Sequence, residues 1–212
     1  MFFKILLSYF YPLKEKTFLS PVNGTLEIYW ERGKKVLNTK DANYSYGSLH
    51  TIFQKALKEI KFGQKSIENV LILGFGAGSI YEIIREEYKK EFEIVGVELD
   101  PTYKEIIPQF IDSLYNCTID YEDALIFLEK NEVKYDLILC DLFLNRNTLN
   151  ESMDKPFIKN IRKSLKENGC YIHNTMMPNN KEERDYFIAL EQVFNEVSLE
   201  VYLDNNSVYF CK

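Results

Sequence analysis

Four short segments carry residue types that do chemistry together. The run Gly74-Phe75-Gly76-Ala77-Gly78-Ser79 follows an apolar stretch and opens a helical pattern. Glycines at alternate positions let a backbone turn tightly against a bound group, and the helix start beyond them presents free N–H groups. About twenty residues further on, Glu98 ends a second apolar stretch within Val97-Glu98-Leu99-Asp100, where an acidic side chain accepts hydrogen bonds from two ribose hydroxyls. Asp123 and Ala124 open the next helical segment. The Asp123 carboxylate can cap that helix or accept a hydrogen bond from an adenine amino group. Asp141 terminates Ile138-Leu139-Cys140, a poor position for a solvated acid, and is expected to face a reacting centre.

These residues need a scaffold that brings strand ends to one edge. Strands are expected at residues 70–74, 93–99, 117–120, 135–143 and 170–174. Helices are expected between and after them at 79–90, 102–115, 121–130, 155–166 and 182–194. Strands alternating with helices imply right-handed βαβ crossovers and a parallel sheet covered on both faces, with ligands bound outside the carboxyl ends of its strands. The ending differs, because residues 197–203 and 207–211 flank Asp204-Asn205-Asn206 with no room for a helix. An antiparallel hairpin is therefore expected to close a seven-stranded sheet in an α/β, Rossmann-like fold. Before this domain, residues 25–39 alternate around Arg32-Gly33, a β-hairpin signal. The expected division is an N-terminal hairpin segment at 1–48 and a nucleoside-binding domain at 49–212. Asp100, ahead of Pro101, reads as a helix N-cap.

Composition narrows the classes. With 212 residues, 46% hydrophobic and 27% charged, the chain is globular and of single-domain size with room for an appendage. Its net charge of −6 gives no general reason to bind nucleic acid. That charge is unevenly spread: residues 1–48 hold seven basic and four acidic side chains, net +3, leaving −9 on the remainder. The four cysteines lie far apart without a CxxC pair and read as reduced, buried thiols in a cytoplasmic protein. The apolar opening, residues 2–13, falls short of the roughly 20 residues that span a bilayer, so no membrane is expected. His50 and His173 are the only histidines, which leaves a metal site unsupported. His173 is expected as a core residue, with a route to the pocket beside Asn174 as the alternative. No nucleophile-elbow, HExxH or P-loop pattern is present.

Together, the glycine loop, Glu98, Asp123-Ala124, Asp141 and the terminal hairpin resemble the spermidine synthase-like branch of the class I AdoMet-dependent methyltransferase fold. The resemblance implies that Gly74, Gly76 and Gly78 approach the aminoacyl part of S-adenosyl-L-methionine or its decarboxylated form. It implies further that Glu98 holds the ribose, Asp123 and Ala124 meet the adenine, and Asp141 lies by the sulfonium. Tyr44 and Tyr46 look like the gate-side tyrosine segment of aminopropyltransferases, and with Phe143 they are candidates to wall a pocket for a small-molecule acceptor. By the same analogy, a homodimer is expected, with residues 2–13 a candidate interface.

Departures from that family bear on the activity. Its glycine loop typically holds an aspartate (GGGDGG) where this chain has Ala77. An acid typically follows the gate tyrosine, where this chain has Gly47 and Ser48. Its fourth strand ends in a DSSDP-like run with two aspartates, of which this chain keeps only Asp141. Burying a diamine's ammonium groups without carboxylates costs several kcal/mol. The sequence therefore favours an AdoMet-dependent methyltransferase acting on a small acceptor. The alternatives are a polyamine aminopropyltransferase using decarboxylated AdoMet, and a non-catalytic nucleoside-binding module.

Overall fold

The computed structural model describes residues 2–39, 48–144, 147–177, 179–201 and 206–212. A short helix α1 (Phe2–Leu7) leads into three antiparallel strands, β1 (Leu13–Ser20), β2 (Gly24–Glu31) and β3 (Lys34–Thr39), ordered β1-β2-β3. The expected hairpin is β2 and β3, and it turns on Arg32 and Gly33, both at positive φ, the two-residue connection that suits strand twist. β1 makes this a three-stranded sheet instead of a hairpin. It escapes sequence reading because most of Leu13–Ser20 is exposed, with only Phe18 buried, so no alternation marks it.

Helix α2 (Ser48–Glu59) begins the larger layer. Strands β4 (Asn69–Leu73), β5 (Glu93–Val97), β6 (Cys117–Asp120) and β7 (Tyr135–Cys140) follow, separated by α3 (Ser79–Tyr88), α4 (Tyr103–Ile106) and α5 (Ala124–Lys130). A two-residue pair, β8 (Phe143–Leu144) and β9 (Asn147–Thr148), precedes α6 (Lys155–Ser164). Then come β10 (Leu165–Thr175), α7 (Asn180–Glu191), β11 (Val197–Val201) and β12 (Ser207–Cys211). The seven-stranded sheet has the order β11-β12-β10-β7-β4-β5-β6, parallel except that β12 runs against both β10 and β11. This is the expected Rossmann-like methyltransferase fold with its terminal antiparallel hairpin.

Successive residues of a strand face opposite sides, and both sides of this sheet are covered. Val70, Ile72, Leu137, Leu139 and Ile172 pack with α2, α3, α4 and residues of the N-terminal sheet. Leu71, Leu73, Ile138, Cys140 and Tyr171 pack with α5, α6 and α7. One expectation is corrected. The helix expected at 102–115 is a single turn, α4, plus a 3-10 turn holding Pro108, because a proline removes a donor and blocks continuation. His173 is the core residue expected, and the alternative route to the pocket is not taken. It is fully buried, its Nδ1 lies 2.7 Å from the Tyr186 hydroxyl, and burial pushes its pKa down to about 3, so it is a neutral core residue. Among the described residues no helix is long and apolar enough to cross a membrane, and no His, Cys, Asp and Glu cluster forms a metal site.

Candidate functional site

The chain steps outward from β4 through β5 to β6, then returns to the other side of β4 with β7. Between β4 and β7 the connections leave in opposite directions, and a crevice opens at their carboxyl ends. Gly74 follows β4 directly and Asp141 follows β7 directly, so both stand at this switch point.

Gly74 has φ +81°, and a Cβ there would lie 2.4 Å from the backbone oxygen of Asp141. A backbone oxygen cannot swing aside as a side-chain tip can. Gly74→Ala is therefore expected to cost at least 1–3 kcal/mol of stability from the strained φ alone, measured by urea unfolding; a loss below about 0.5 kcal/mol would contradict the close approach. Gly78, φ +92°, leaves room for Ile111. A Cβ on Gly76, φ +55°, would meet nothing within 4 Å, so the middle glycine faces open space. Ala77 is buried, and the loop itself carries no charge.

Glu98 lies against this loop, only 8% exposed. Its Oε2 accepts the Gly76 N–H at 2.8 Å and its Oε1 accepts the Asp100 N–H at 2.9 Å. Each oxygen has a further lone pair available. Burial pushes the Glu98 carboxyl up to about 7, against the pull of these backbone donors and with a further push from the Asp100 charge. Asp141 is partly buried and accepts a hydrogen bond from Asn174 Nδ2 at 3.0 Å. It too is pushed up to about 7 by burial, opposed by Asn174 and reinforced by the Glu98 charge. Neither acid has a Lys or Arg partner among the described residues. Two carboxyls thus share one crevice, with no cation between them among the described residues.

Asp123 sits at the start of α5, and its Oδ1 accepts the Leu125 N–H at 2.7 Å as a helix cap. Ala124, the first residue of α5, is buried. The strand before them, β6, joins the site through the Glu98 N–H, which donates to the Asp120 carbonyl at 3.0 Å. Phe143 starts β8, pairs with Thr148 and is half-buried. Tyr44 and Tyr46 lie outside the described residues. Asn174, named in the sequence only beside His173, is the residue that reaches Asp141, because neighbouring positions on β10 face opposite sides of the sheet.

The sequence matches the family model of the spermine/spermidine synthase domain over residues 51–204. The chain belongs to the spermine/spermidine synthase family. Over 117 residues it is 31% identical to the polyamine aminopropyltransferase of Alkaliphilus oremlandii, a match that covers 53% of this chain and 41% of the relative. The chain spans less than half the length of the curated relatives it matches. Its fold is shared by a probable spermidine synthase from Corynebacterium glutamicum at TM-score 0.78, 16% identity, covering 94% of this chain and 79% of that one. It is shared too by a spermidine synthase in complex with the transition-state analogue AdoDATO, at TM-score 0.68 and 17% identity, covering 94% and 72%. Methyl transfer, the activity favoured by the sequence, is corrected by the curated relatives, which are named polyamine aminopropyltransferases. The missing carboxylates had tipped that expectation, yet they concern how an acceptor is held and not which group moves.

The raised carboxyls set a pH dependence for the family member's own stability. Glu98 and Asp141, together with Glu82, pushed up to about 7 by burial and by Glu86, hold protons when folded that an unfolded chain releases near pH 4. Their stabilising contribution is complete below that pH and is lost as pH rises through about 7. The two histidines, both pushed down by burial, work in the opposite direction, but less strongly above pH 6.5. Unfolding free energy is expected to be about 1 kcal/mol lower at pH 8 than at pH 6.5. Equal or greater stability at pH 8 in urea titrations would contradict the assignment.

Proposed function

We propose that this chain transfers an aminopropyl group from decarboxylated AdoMet to an amine, with the nucleoside bound at the carboxyl ends of β4, β5 and β6. The observation that carries the reading is the pair of carboxyls, Glu98 and Asp141, enclosed beside the glycine loop without a cationic partner among the described residues. A sulfonium supplies the missing positive charge and, in its bond to the aminopropyl carbon, the leaving group. The residues fit such a donor. Gly76 faces open space, each Glu98 oxygen has capacity for a ribose hydroxyl, and Asp123 Oδ2 is left over from the helix cap.

In the transfer a neutral amine nitrogen forms a bond to the carbon attached to sulfur. The carbon–sulfur bond breaks, its electron pair stays on sulfur as a neutral thioether nucleoside, and the alkylated nitrogen sheds one proton. Asp141 is placed to take that proton, and a carboxyl held near pH 7 is matched to the task. Asn174 fixes the orientation of the acid by its 3.0 Å hydrogen bond. Orientation of nucleophile and leaving group supplies much of the barrier reduction, on the order of 7–11 kcal/mol in favourable cases. The acceptor end is less acidic than the family pattern, with Ala77 in the loop and Leu144 three residues beyond Asp141, which favours an amine carrying one cationic group over a diamine.

The test is to incubate the protein with decarboxylated AdoMet and, separately, putrescine, cadaverine and a monoamine of equal length, and to follow methylthioadenosine release. Release that depends on an amine supports the reading. Tight nucleoside binding with no release from any amine would replace it with the second reading, a nucleoside-binding module. Ala77 and Leu144 favour that alternative because they stand where the family pattern has acceptor-side carboxylates, while Glu98 stays in place.

A further inference from the structure

Asp100 is fully buried, although capping the short turn after it needs only one of its oxygens. Oδ1 accepts the Thr102 N–H at 3.0 Å, which satisfies the capping role. Oδ2 points the other way, to the turn between β1 and β2, where Asn23 Nδ2 donates at 2.8 Å and the Ser20 hydroxyl donates as well. These donors come from 77 and 80 residues away in the chain. Ser20 is itself held, accepting the backbone N–H groups of Val22 at 3.0 Å and Asn23 at 2.7 Å. A buried carboxylate is tolerated only when its lone pairs are occupied, and these donors keep Asp100 below the usual carboxylate range in spite of burial. The backbone N–H of the same residue donates to Glu98 Oε1, and the other oxygen of Glu98 holds the loop at Gly76.

We infer that Asp100, clamped by Ser20 and Asn23, is a positioning residue through which the N-terminal sheet orients the Glu98 carboxylate and sets the affinity for the nucleoside. The inference rests on the nucleoside reading of Glu98 given above. Glu98 is held by backbone donors, so its plane follows the peptide of Asp100, and that peptide follows the carboxylate docked on the β1–β2 turn. The N-terminal sheet thus acts on the ligand without touching it. The charged or titratable groups acting on or felt by Glu98 are Asp100 at its own strand end, Tyr121 beyond β6 and Asp141 beyond β7.

Two measurements test this. In unliganded protein labelled with 13C at the glutamate carboxyls, Asp100→Asn removes the charge that adds to the upward push of burial on Glu98, so the Glu98 titration midpoint is expected to fall. Asn23→Ala is expected to speed amide hydrogen exchange at Gly76 and Asp100 and to weaken binding of decarboxylated AdoMet about tenfold. A residue that merely stabilised the fold would leave the nucleoside affinity of a folded variant where it is. An unchanged midpoint in a folded Asp100→Asn variant overturns the inference, as does Asn23→Ala with both exchange and affinity unchanged. Should Asp100→Asn not fold, Ser20→Ala joins Asn23→Ala and the same exchange and affinity readings decide. If the wild-type protein binds no nucleoside while the midpoint and exchange move as expected, the proposed function fails and the coupling stands.

Discussion

Glu98→Ala is expected to weaken binding of decarboxylated AdoMet and of methylthioadenosine by at least 10²-fold in calorimetry. On the proposed reading two hydrogen bonds from ribose hydroxyls to an ionised carboxylate are lost, each contributing about 1.5–3 kcal/mol, and every 1.4 kcal/mol is a factor of ten. Both ligands should lose it, because the ribose is common to them, and the sulfonium should lose somewhat more because one of its two nearby carboxylates is gone. A variant that binds both as the wild type does would remove Glu98 from the site. A variant that loses only the sulfonium would place Glu98 by the sulfur instead.

Asp141→Asn separates chemistry from binding. The substitution keeps shape but removes the proton acceptor and the negative charge, so turnover is expected to fall 10²–10⁴-fold. Affinity for the neutral thioether nucleoside should stay within a few-fold of wild type, whereas the sulfonium should bind more weakly. In the wild-type protein, turnover should rise with pH through about 7 as the raised Asp141 carboxyl loses its proton, and that rise should vanish in the variant. A wild-type rate that is flat from pH 6 to 8.5, with chemistry limiting, would argue against Asp141 as the base.

The parallel core was legible because strands covered on both faces need uninterrupted apolar runs, and such runs admit few other readings. β6 is found at 117–120 as expected, and β4, β5 and β7 within a few residues at their ends. β1 was not legible, since its charged, exposed residues are those of an edge strand. β10 starts at Leu165, five residues before the expected onset, where the register with β7 shifts between Leu165 and Cys170. The glycine loop, Glu98 and Asp141 were readable because each stands where a strand ends, a position that sequence marks well. The second partner set of Asp100 was not, because nothing in Ser20-Pro21-Val22-Asn23 points to a residue so distant in the chain. The expectation of methyl transfer, which the names of the curated relatives overturn, had a related cause: individual motif positions had lost their acids, while the relationship is spread over 154 residues of the match.

The glycine loop also divides its labour. Gly74 and Gly78 serve the protein, for a side chain at either would strike the chain itself. At Gly76 the space a side chain would take is open, and on the proposed reading it is left for what arrives from outside. A methyl group there meets no protein atom, so beyond the modest penalty of its left-handed backbone its harm would be confined to the guest. Family members that have given up the nucleoside should therefore be recognisable by a side chain at this middle position while the outer two remain glycine.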